Sequence, residues 1–181
     1  NMLAADYVVS TSVAEGFGMA FLEPWLMGRG VIARRLETVA EDFEMFGMNL
    51  SSFYDAVLIP GEKSWIEECQ RETASAEADA WSDLPEVFRP HHQTCIDPSA
   101  ETIDFAKLIP RRQVEVLQRM NRDAGFENEA KLLSAGLVCN LNQGFTDPML
   151  EANAQVVQQN YGADRMGKRL LGLYDRLLNG H

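Results

Sequence analysis

YVVSTSVAEGFGMAFLEPWLMGRGVIA, residues 7–33, decides the fold class. Tyr7-Val8-Val9 is aromatic and β-branched, so it reads as a strand that ends at the polar turn Ser10-Thr11-Ser12. A helix is predicted from Phe17 to Met27, stopped by Gly28 and Gly30. Val31-Ile32-Ala33 is short and wholly apolar, as expected of a strand covered on both faces of a parallel sheet. Strand, helix and strand closed within about 28 residues make a β-α-β unit, and parallel neighbours joined by a crossover helix imply a doubly wound α/β sheet.

Outward from this unit, a short helix is predicted over Val39 to Met45 and a third strand over Ala56 to Ile59, before Pro60-Gly61. Residues 62–80 are helical by composition, and Pro85, Pro90 and Pro98 make 84–100 a loop or crossover. Helix is expected again from Ile103 to Asp123, broken at Pro110, with Val114, Leu117 and Met120 on one face. One or two long helices over Asp147 to Leu178 carry Val156, Val157, Met166, Leu170, Leu171, Tyr174 and Leu178 on one side. Three regions follow: 1–60, the α/β part; 61–104, an acidic helical segment with its proline-rich loop; and 105–181, a helical C-terminal extension. At most three strands, the first starting at residue 7, are too few for a stable doubly wound sheet, so the chain is expected to be cut within a domain at its N-terminus.

The composition is that of a globular protein, 181 residues with 46% hydrophobic. No apolar run reaches the roughly 18 residues of a membrane span, and the first residues lack the zones of a signal peptide. Cys69, Cys95 and Cys139 form an odd set without CxxC spacing, which points to a reducing cytoplasm rather than a disulfide framework. The net charge of −11 falls mainly on residues 61–104 and would repel nucleic acid and anionic lipid. An anionic ligand would need local backbone amides or a few placed bases.

The turn after Tyr7-Val8-Val9 can supply such amides. Ligands of open parallel sheets sit at the carboxyl ends of the strands, facing helix N-termini. Gly16 and Gly18 let a ligand approach the backbone there, although an ordinary turn would use glycines too. On one continuous helix Glu15 and Glu23 would lie about 80° and roughly 12 Å apart. Each carboxylate can accept two hydroxyls. Pro24 leaves the Ala20 carbonyl without its helical donor and favours a bend.

Glu15-Gly16-Phe17-Gly18 with Glu23, preceded by Ala5-Asp6-Tyr7-Val8-Val9 and Ser12 and followed by Gly28-Arg29-Gly30-Val31-Ile32, closely resembles the E-x(7)-E segment of retaining nucleotide-sugar glycosyltransferases. These are the group 1 glycosyl transferases of Rossmann-like GT-B fold, and the resemblance spans residues 3–35. It implies that Glu15 is the catalytic-site carboxylate touching the donor hexose. Gly16, Phe17, Gly18 and Met19 would meet the hexose and diphosphate, and Glu23 would hold the ribose hydroxyls. Pro24-Trp25 departs from the usual alanine or serine after the second glutamate. The substrate implied is a nucleoside diphosphate sugar, with no cofactor and no protein-bound metal. An Arg and Lys pair that neutralises the leaving diphosphate, and the N-terminal acceptor domain, are expected upstream, so the chain would hold half of a donor site and be inactive alone. By the same resemblance the last helix, within 156–178, would cross back to that domain. Other readings keep the fold with different chemistry, as in a disaccharide phosphorylase or nucleotide-sugar epimerase, or make the chain a non-catalytic interaction module that uses 61–104.

Several features carry blander readings. His91, His92 and Cys95 are metal-capable but lie in a proline-rich loop without a second cluster. Arg34 and Arg35 could approach a phosphate or form a surface pair. Arg111, Arg112, Arg119 and Arg122 read as a solvated helix face, and Trp65 and Trp81 as packing residues.

Overall fold

The computed structural model describes residues 2–16, 18–89 and 94–179. The chain divides into two compact units, one formed by Asn1–Asp55 with Cys139–His181 and the other by Ala56–Val138. These limits differ from 60/61 and 104/105, because the helices beyond residue 138 pack on the N-terminal α/β part.

The first unit opens with strand β1 (Tyr7–Ser10), helix α1 (Met19–Leu26) and strand β2 (Gly30–Ala33). β1 and β2 pair in parallel, with Tyr7 opposite Gly30 and Val9 opposite Ile32, so the β-α-β unit is present. Helix α2 (Glu37–Met45) follows, and the chain then returns beside β2 at one further parallel bridge. There Tyr54 donates its N–H to the Ala33 carbonyl at 2.9 Å and accepts from the Arg35 N–H at 2.8 Å. All four residues of β2 are buried, as its apolar run predicts, whereas Val9 on β1 is exposed.

Helix α1 ends where its glycine dictates. Gly28 adopts φ 66°, donates to the Trp25 carbonyl, and is followed by an Arg29 N–H donating to Pro24 at 2.9 Å, a Schellman arrangement that left-handed glycine allows. The buried face of α1, with Phe21, Leu22, Pro24 and Trp25, packs on helix α7 (Asp147–Tyr161). Phe21 meets Phe43 and Phe53 edge-on, and Trp25 meets Phe145 at 5.7 Å between centroids. A Cβ on Gly30 would overlap the Phe145 ring. Asn153 of α7, fully buried, accepts from the Asn49 N–H at 2.8 Å and donates to the Asn49 carbonyl at 2.9 Å. One amide thus satisfies both backbone groups of a loop residue. Helix α6 (Ala135–Gln143) precedes α7, and α8 (Ala163–Asn179) follows it after Gly162.

The second unit has a different sheet. Strands β3 (Leu58–Pro60) and β4 (Thr102–Asp104) pair antiparallel, with Ile59 opposite Ile103. The third strand expected in the parallel sheet is therefore an antiparallel partner of β4 in another unit, and the helix expected from residue 103 is preceded by a strand. Pro110 opens helix α4 (Pro110–Met120) rather than breaking it, because proline at N1 forfeits no helical hydrogen bond. Val116 is the buried residue of α4, and of the expected stripe Met120 packs against the core while Val114 and Leu117 are half exposed, so the buried face is turned from the predicted one. Helix α3 (Lys63–Ser82) and helix α5 (Ala124–Leu133) complete this unit around Ile59, Ile66, Ile103, Val116 and Phe126. The basic run is only partly a solvated face. Arg112 is 13% exposed and binds Glu72 through Nε and Nη2, both at 2.9 Å, with Arg111 on the same carboxylate. These guanidiniums hold the Glu72 carboxyl below the usual glutamate range, and burial pushes the Cys69 thiol up to about 11.

Candidate functional site

The predicted site residues fall at the carboxyl end of β1 and on the first turns of α1. Strand β1 ends at Ser10, and residues 11–18 form the connection, in which Glu15 is half-buried and Gly16 exposed. Phe17 lies outside the described residues. Helix α1 begins at Met19, two residues later than predicted, because Gly18 takes φ 73°, a left-handed conformation that ends the loop rather than continuing a helix. Glu15 is thus on the loop, and the 80° and 12 Å of a continuous helix do not describe its relation to Glu23.

Gly18 is fixed from two sides. Its φ lies where a side chain is strained, and a Cβ there would stand 3.2 Å from Phe43, 3.3 Å from Phe21 and 3.5 Å from Val39. Its carbonyl accepts from the Phe21 N–H at 2.8 Å. No side chain caps the amino end of α1, whereas α5 is capped by Asp123, whose carboxylate accepts from the Phe126 N–H at 3.0 Å. The amino ends of α2, α3, α4 and α7 also lack a side-chain cap, but extended residues precede them. Among these helices, only α1 is preceded by a left-handed glycine.

Glu23 is exposed on α1, four residues after Met19 and therefore on the same side. Around it the exposed arc consists of Met19, Ala20, Leu26 and Met27, a single carboxylate among apolar side chains. Such an arc offers both a hydroxyl acceptor and an apolar surface.

The neighbouring cations are engaged in structural roles. Arg34 donates to the Asp55 carbonyl at 2.7 Å and lies over the Tyr54 ring, and Arg35 forms a two-pronged pair with Glu44, one arm at 2.8 Å. The Arg35 guanidinium holds the Glu44 carboxyl below its ordinary range. Of the two readings of this dipeptide, the surface pair describes Arg35. His91 and His92 lie outside the described residues, and Cys95 is exposed.

A cleft of about 710 Å³ lies in the second unit, lined by Pro60, Gly61, Lys63, Trp65, Arg119 and Phe126 among others. None of the predicted site residues borders it. Trp65 packs against Gly61, where a Cβ would stand 2.6 Å from its ring, and Trp81 is 38% exposed. Phe145 and Asn153, which brace α1 and its neighbours, lie far along the chain and carry no local motif. No helix among the described residues is long and apolar enough to cross a membrane. Comparison with protein-family models, curated proteins and solved structures returned no match, so the family resemblance rests on residues 3–35 themselves.

Proposed function

We propose that the chain carries part of the donor site of a retaining glycosyltransferase, an enzyme that moves a hexosyl group from a nucleoside diphosphate sugar to an acceptor. β1, α1 and β2 then belong to a Rossmann-like GT-B domain working in the cytoplasm. One observation supports this reading: in the connection that follows parallel strand β1, the buried, left-handed Gly18 opens a helix whose amino end has no side-chain cap.

In this role the amides around Gly16, Phe17, Gly18 and Met19 donate to the diphosphate, whose charge the helix amino end favours by about 0.3–2 kcal/mol depending on burial. As the glycosidic bond breaks, negative charge grows on the leaving diphosphate, and preorganised donors stabilise it more than the ground state. Glu15 accepts from hydroxyls of the hexose, and Glu23, on the exposed arc with Met19, accepts from the two ribose hydroxyls.

A thermal-shift panel of nucleoside diphosphates and their sugars on the protein tests the reading. One nucleotide class should raise the melting temperature in a concentration-dependent way. A flat response across the panel contradicts it. A response to inorganic phosphate with sugar phosphates instead would favour the phosphorylase.

A further inference from the structure

Helix α8 (Ala163–Asn179) is unlike every other helix of the molecule. All of its residues are exposed, including Leu170 at 50%, Leu177 at 70% and Leu178 at 83%. Its sequence is nonetheless segregated without exception. At 100° per residue the apolar side chains fill one continuous arc of about 160°, from Leu173 at one edge to Leu171 at the other, with Met166, Leu170, Tyr174 and Leu177 between. The opposite arc holds Arg165, Lys168, Arg169 and Arg176 with Asp164 and Asp175, a net charge of +2 on a chain of −11. Among the described residues none of these four cations forms an ion pair, in contrast to Arg35 and Arg112.

We infer that α8 is an interfacial anchor, which lies in the plane of an anionic lipid surface with its leucine face in the acyl boundary and its cations among the headgroups. The width of the apolar arc and the sign of the polar one both point there. The arc is broader than the narrow stripe of a two-stranded helical seam, and its combination with a strongly charged opposite face and low net hydrophobicity is that of a helix lying in a bilayer interface. Arg169 borders the arc at its Leu173 edge and Lys168 lies beyond Asp164 and Asp175 at the other, while Arg165 donates to the Gln159 carbonyl. The net positive polar face complements anionic headgroups, each cation contributing about fivefold to partitioning at physiological salt. The acidity of the rest of the chain does not cancel this, because charges beyond about 8 Å are screened. The inference is independent of the donor site and gives the apolar face of α8 to lipid, not to the upstream domain that the resemblance sets against the last helix; no nucleotide enters its test.

Flotation of the whole chain with vesicles decides it. With phosphatidylcholine–phosphatidylserine vesicles the protein should float, with phosphatidylcholine alone it should float weakly, and added salt should reduce binding. Lys168→Gln/Arg169→Gln should weaken partitioning to the anionic vesicles about 25-fold, at about fivefold per charge. Leu170→Glu/Leu177→Glu should abolish it while far-UV circular dichroism and the melting temperature stay unchanged, since both side chains are exposed. Absence of flotation with anionic vesicles, or flotation untouched by the leucine pair, overturns the inference. A sedimenting dimer that the leucine pair dissolves, without flotation, gives the face to a second copy and overturns it too.

Discussion

The two compact units are built on opposite principles. Around α1 the structure is held by aromatic edges and close backbone approach: Phe21 against Phe43 and Phe53, Trp25 against Phe145, and Gly30 beneath the Phe145 ring. Around α4 it is held by charge as much as by burial, with Arg112 and Arg111 converging on Glu72 beside the buried Cys69. The helix ends differ likewise. Asp123 satisfies an amide of α5 with its own carboxylate, while Gly18 delivers α1 without a side-chain cap. Helix α5 is capped from within, and the amino end of α1 carries no side-chain cap.

Substitutions sharpen that contrast, beginning with the largest effect. Phe21→Ala removes a fully buried ring from the aromatic cluster and should cost about 3–5 kcal/mol in denaturant unfolding followed by tryptophan fluorescence. Gly30→Ala drives a methyl into the Phe145 ring and should cost about 1–3 kcal/mol by the same measurement. A value near zero would mean that Phe145 yields and that close approach is not what holds β2. Asn153→Ala leaves both backbone groups of Asn49 unpaired and should cost about 1–3 kcal/mol.

The second unit should respond to pH instead. Glu72 has a carboxyl pKa lowered by Arg112 and Arg111, so its contribution is present above the ordinary value of 4.5 and is lost as pH falls through the lower folded value. Cys69 has a raised thiol pKa, so its contribution is complete below 9.0 and is lost as pH rises toward about 11. Thermal melts between pH 3 and 11 should therefore weaken at both ends, and Glu72→Gln should flatten the acid limb. An unchanged acid limb in that variant would remove the charge network from this account.

The β-α-β unit was legible because its signals are local. Three apolar residues in β2, a β-branched run in β1 and Gly28 each act within a turn or a strand. The start of α1 was misplaced by two residues because glycine can continue a helix or take φ 73°, and the choice falls to Phe43 and Val39, about twenty residues away. The pairing of β3 with β4 joins residues more than forty apart, and no turn signal encodes it. The periodicity of α4 was legible but its phase was not, because the two exposed residues Val114 and Leu117 are as apolar as Val116. Within the site, the identities of Glu15, Gly18 and Glu23 were legible as a motif, while the loop position of Glu15 was not.

Calorimetric titration of the nucleoside diphosphate selected by thermal shift, into the unaltered protein and into Glu23→Ala, tests the central claim most directly. Glu23 is exposed, so the variant should keep its stability within about 0.5 kcal/mol while affinity falls by about tenfold or more, the value of hydrogen bonds to a charged acceptor. Equal affinity in the two proteins would contradict the claim that the exposed arc of α1 holds the nucleotide.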